Sequence, residues 1–122
     1  MIPAQFEYHR PVTVGEAVQL LQNNPDAKVL AGGHSLIPVM KMRLAAPDAL
    51  IDIGRIAELK GISSSSGSLR IGATTTYYEI ANSEAVKAAA PLLAEAAGQI
   101  GDRQVRYRGT IGGNLSHSDP AS

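Results

Sequence analysis

Among its 122 residues the sequence has no cysteine. That absence excludes a disulfide, a thiolate nucleophile, and any zinc or iron–sulfur centre held by cysteine within this chain. Excess charge is missing too, because eleven basic and eleven acidic residues cancel. Nucleic-acid binding normally requires a basic surface, so that class of partner is not expected. No apolar run approaches the ~18–20 residues needed to cross a membrane. The opening "MIPAQFEYHRP" lacks a basic segment followed by an apolar one, so it does not read as a signal peptide, and the expected location is cytoplasmic. Three histidines, His9, His34 and His117, lie far apart and show no ligand spacing such as HExxH, so no metal site is expected.

What remains is a composition suited to a domain with a real core: 44% hydrophobic residues and 18% charged ones. "QFEYHRP" alternates as a short strand that Pro11 ends. Thr13 and Glu16 have the spacing of a capping box, opening a helix whose apolar residues are Ala17, Val18, Leu20 and Leu21. "AKVLA" is a second strand, running into Gly32 and Gly33. Ser35 is placed to cap "LIPVMKMRL", where Pro38 falls in the first turn and is tolerated there. "DALIDI" is a third strand, and this order predicts a small α/β unit with parallel strands. Beyond it, "GISSSSGSLRIGATTT" reads as a β-hairpin around a Ser/Gly turn. "TYYEIANS" then reads as a helical turn, and "EAVKAAAPLLAEAAGQI" as an Ala-rich helix interrupted at Pro91. Asp102, Arg103, Arg106 and Arg108 form a charged cluster read as surface.

Two glycine pairs carry the chemistry. After "AKVLA", Gly32 and Gly33 leave backbone N–H groups unshielded, and Ser35 adds a hydroxyl at a helix start. Such donors, with the positive end of a helix, accept phosphate oxygens. In "TIGGN", the Thr110 hydroxyl, the Gly112 and Gly113 amides and the Asn114 side chain offer a second, uncharged set. Neither loop is GxGxxG or GxxxxGK[ST], so the dinucleotide and P-loop fingerprints are absent. The residues alone lead as far as a phosphate-containing ligand.

The ordered pair "AGGHSLIPVMKMRLAAPDALIDI" and "QVRYRGTIGGNLSHSDPAS" resembles the FAD-binding medium subunit of molybdenum hydroxylases, the xanthine dehydrogenase and carbon monoxide dehydrogenase family. "FEYHRPVTVGEAVQLL" and "LRIGATTTYYEI" fit the same family, so the resemblance spans the chain. It implies an α+β fold, the FAD-binding PCMH type shared with vanillyl-alcohol oxidase, with an α/β-like first part. It also implies that these residues are the N-terminal part of a longer subunit, inactive alone. The expected division is 1–56, with the first diphosphate loop, and 57–122, with the second. The family's first loop falls on Val29, Leu30, Ala31, Gly32, Gly33, His34, Ser35 and Leu36, whose amides and Ser35 would hold the FAD diphosphate. The second falls on Thr110, Ile111, Gly112, Gly113 and Asn114, with His117 against the flavin and Ile100 near the adenine. No residue of the chain is implied to be catalytic.

The implied role is electron transfer. Substrate would react at a molybdenum cofactor in a large partner subunit, and electrons would pass through 2Fe-2S clusters in a small partner to FAD. They would then leave to NAD, a quinone or oxygen. A GGHS loop also occurs in berberine-bridge-type oxidases, where the histidine is bonded to the flavin, but the other segments favour non-covalent FAD. A free-standing flavin oxidase of the same fold and a non-catalytic assembly module are the alternatives.

Overall fold

The structure is a computed structural model that describes residues 5–33, 36–42 and 46–118. The chain divides into two compact units, Met1–Glu58 and Leu59–Ser122.

The first unit holds three short strands, β1 (Glu7–His9), β2 (Lys28–Leu30) and β3 (Ala49–Asp52), in the order β1-β3-β2, with β3 parallel to both neighbours. This is the parallel arrangement expected from strand–helix alternation. β3 is central, and its Ala49, Leu50 and Ile51 are all buried, giving the continuous apolar run of a strand covered on both faces. Helix α1 (Val14–Asn23) starts at Thr13, whose hydroxyl accepts the Glu16 N–H at 3.1 Å. The Glu16 carboxylate takes the Val12 N–H at 3.2 Å, one residue before the position a strict capping box would use. Of the expected apolar face only Ala17 is buried; Leu20 is half-buried, while Val18 and Leu21 are exposed. Helix α2 (Leu36–Lys41) contributes the buried Met40. Pro38 is its third residue, where an N–H would lack an intrahelical partner anyway.

The second unit opens with the hairpin β4 (Ile62–Ser65) and β5 (Ser68–Ile71), paired antiparallel. Its two-residue turn has Ser66 at φ 50° and Gly67 at φ 78°, the positive pair that matches the twist of flanking strands. Helix α3 (Tyr77–Ala81) begins with a complete capping box between Thr76 and Glu79. Helices α4 (Glu84–Ala89) and α5 (Pro91–Gln99) are split where Pro91 takes the first helical position. Tyr77 and Ile80 of α3, Val86 of α4, and Ala94 and Ala97 of α5 form the core, with Ile62, Leu69, Ile71, Leu93, Ile100 and Ile111 packed around it. The alanines thus serve close packing of α5, beyond their helix propensity.

Two more helices follow: α6 (Arg103–Arg108), capped by Asp102 through a 2.9 Å bond from Val105 N–H, and α7 (Ile111–His117), capped by Thr110. "TIGGN", expected as a loop, is therefore the start of a helix. The reason is tertiary: the Ile111 and Gly112 amides bond the Thr75 and Ala73 carbonyls at 3.1 and 2.9 Å, docking α7 on the segment before α3. That contact outweighs the poor helix propensity of two glycines.

Candidate functional site

In the first unit, the loop after β2 is organised by backbone. The Leu30 carbonyl accepts the Ile53 N–H at 3.0 Å, and the Gly33 carbonyl accepts the Ile37 N–H at 2.9 Å, starting α2. Gly33 sits at φ 83°, and a Cβ there would lie 3.0 Å from the Ile37 side chain and 3.3 Å from that of Leu30. Only glycine satisfies both conditions without strain. Among the described residues, nothing accepts from the amides of Ala31, Gly32 or Gly33, and all three residues are half-buried rather than covered. Three backbone donors at the carboxyl end of a parallel strand suit an anionic group. His34 and Ser35, with the expected cap at Ser35, lie outside the described residues; Leu36 begins α2. Level with Leu30 in the sheet, Asp52 is occupied. It accepts the Gly54 N–H at 2.9 Å and the Tyr8 hydroxyl, and Arg10 pairs with it at 3.4 Å. The hydrogen bond to Asp52 raises the Tyr8 pKa above the ordinary phenol value.

The "TIGGN" segment of the second unit differs from the open cradle its composition suggests. The Gly113 N–H goes to the Thr110 hydroxyl at 3.0 Å and the Asn114 N–H to the Thr110 carbonyl at 3.1 Å. With Ile111 and Gly112 also bonded, every amide from 111 to 114 is spent within the chain. Gly112 is required by a close approach of the chain to itself: a Cβ there would lie 2.7 Å from the Ala73 carbonyl oxygen. What α7 can offer a ligand is side chains. Asn114 and His117, three residues apart, share a helix face, Asn114 half-buried and His117 exposed. The buried Tyr77 hydroxyl has no well-formed hydrogen bond but lies beside the Asn114 side chain. Burial raises its pKa, and the Asn114 neighbour partly offsets the rise. Ile100, the C-cap of α5, is half-buried against the core.

A family described as the FAD binding domain in molybdopterin dehydrogenase matches residues 4–122. The chain belongs to this family. Among molybdopterin dehydrogenase flavin domains, the carbon monoxide dehydrogenase medium chain of Hydrogenophaga pseudoflava is 56% identical over 123 residues, covering all of this chain and 43% of the relative. The medium chain from Afipia carboxidovorans is 46% identical, again over all of this chain and 43% of the relative. The solved structure of carbon monoxide dehydrogenase from Hydrogenophaga pseudoflava aligns with a TM-score of 0.97 at 56% identity, over 100% of this chain and 43% of that one. The chain thus spans less than half the length of these relatives, and it has the α+β fold of the family's flavin domain.

The cofactor of this family is FAD, and the first loop fits it on its own geometry. Three amides without acceptors among the described residues match the needs of a diphosphate. Sequence reasoning singled out both glycine segments by their residue types. It missed Arg106, whose guanidinium turns back onto the Ile100 and Gly101 carbonyls at 3.3 and 3.1 Å instead of facing solvent with its neighbours. It missed Tyr77 as well; in neither case did a local pattern mark the residue.

Proposed function

We propose that this chain is the N-terminal part of the FAD-binding, electron-transfer subunit of a molybdenum-containing hydroxylase or dehydrogenase. The family match over residues 4–122 carries the reading, and the amides after β2, without acceptors among the described residues, support it independently. FAD, when bound, supplies the redox chemistry by which electrons taken from iron–sulfur clusters reach NAD, a quinone or oxygen. The chain's own part is to bind and orient. Val29 to Leu36 hold the diphosphate, with the Ala31, Gly32 and Gly33 amides and the Ser35 hydroxyl as donors. Ile100 gives an apolar surface to the adenine end. Thr110 to Asn114 build the helix start that carries the Asn114 side chain and His117 to the flavin. FAD is held non-covalently, with no bond to His34.

The partners in this reading are a large subunit with the molybdenum cofactor and a small subunit with 2Fe-2S clusters, in the cytoplasm. Affinity purification of the protein carrying this chain from its native cells, with metal and flavin analysis of the complex, tests this. Co-purification of a molybdenum-containing and an iron–sulfur chain is the expected result. A flavoprotein that purifies alone and turns over a reduced substrate directly would establish the free-standing oxidase instead.

A further inference from the structure

Three residues join α5 to α6, and each is fixed by a different device. Asp102 caps α6 through the Val105 N–H. Gly101 takes φ 52°, where a Cβ would sit 2.9 Å from that of Val105. Ile100 has its carbonyl, like that of Gly101, bonded by one nitrogen of Arg106, Nη1, at 3.3 and 3.1 Å respectively. Both bonds are charge-assisted, and they place a cation at the carboxyl end of α5, where the helix dipole favours one. Arg106 is half-buried, while Arg103 and Arg108 of the same helix are exposed. One side of Ile100 packs on the core of Tyr77, Ile80, Val86, Ala94 and Ala97, and its partial exposure leaves another side open.

We propose that Arg106 is a positioning residue for the cofactor: its guanidinium fixes the Ile100–Gly101 elbow and so sets the apolar surface that Ile100 offers to the adenine. This rests on the assignment of Ile100 made above. Arg106 acts through the elbow and not by touching FAD. A residue that only closed the end of α5 would affect every ligand of the fold alike, whereas this one acts on the adenine half.

The test uses the protein carrying this chain, freed of flavin and titrated separately with FAD, FMN and ADP. Arg106→Met should weaken FAD and ADP by about tenfold while FMN binding stays within about twofold. Arg106→Lys should recover part of the loss, because an ammonium keeps the charge and the donors but sits on a shorter side chain. Equal weakening of FMN and FAD, or unchanged FAD and ADP, overturns the proposal. If unsubstituted protein binds FAD but not ADP, the Ile100 assignment falls and this proposal with it. If it binds none of the three, the flavin reading itself is refuted.

Discussion

Replacing Gly112 by alanine sets two effects of opposite sign against each other. Alanine is the better helix former by about 1 kcal/mol, so propensity alone predicts a more stable α7. The added Cβ would lie 2.7 Å from the Ala73 carbonyl oxygen and 2.8 Å from the Ala73 Cβ, where ordinary contact begins at 3.4 Å. One of these atoms is backbone, so relief requires moving α7 away from residues 73–75. That displacement breaks the Gly112–Ala73 and Ile111–Thr75 hydrogen bonds, each contributing about 1 kcal/mol. Residual overpacking adds roughly 1–3 kcal/mol. Steric loss wins, and Gly112→Ala should destabilise by about 2–4 kcal/mol. Gly98→Ala in α5 is the control: its Cβ would meet only the Ala81 Cβ at 3.8 Å. There propensity acts unopposed and should stabilise by about 0.5–1 kcal/mol. Urea unfolding of the protein carrying each substitution, followed by circular dichroism, gives both values. A Gly112→Ala protein as stable as the parent would refute the docking of α7 described here, as would equal losses at both sites.

Other outcomes follow from the same contacts. Gly33→Val places a branched side chain at φ 83° against Ile37 and Leu30, so flavin per chain, measured after acid release, should fall well below the parent's; unchanged stoichiometry would remove Gly33 from the site. Tyr8, Tyr77 and Tyr78 have raised pKa values, caused chiefly by the bond to Asp52, by burial, and by the neighbouring Tyr107, whose ring stacks on that of Tyr78 at 4.3 Å, respectively. A phenol whose folded pKa is raised contributes stability that is full below the unfolded value of about 10 and is lost as pH climbs through the folded value. Phenolate absorbance should therefore appear at higher pH in folded protein than in urea, with stability declining above pH ~10; coincident titration curves would contradict the three environments.

Local chemistry made much of the fold legible. Thr13 caps α1, Pro91 starts α5, and Ser66-Gly67 turns a hairpin, all through short-range physics that sequence patterns encode. The parallel sheet followed from the alternation of elements. What sequence hid depended on distant partners. Val18 and Leu21 share the apolar pattern of Ala17, yet of these three residues only Ala17 is buried. Gly112 and Gly113 read as a ligand loop because glycine disfavours helix, but Ala73 and Thr75, nearly forty residues earlier, hold them in one. At the first glycine pair the amides stay open among the described residues, as a ligand loop requires. Arg106 reads in sequence as one charge among several, whereas its guanidinium lies on the elbow before it.

The central claim is that this chain helps hold FAD, non-covalently, at the Gly32–Gly33 loop. Acid precipitation of the purified protein carrying this chain, with chromatography of supernatant and pellet, tests it most directly. The account predicts close to one FAD per chain, all of it in the supernatant and reduced by Gly33→Val. Protein without flavin would contradict the claim, and flavin that remained with the denatured chain would show a covalent bond and return His34 to consideration.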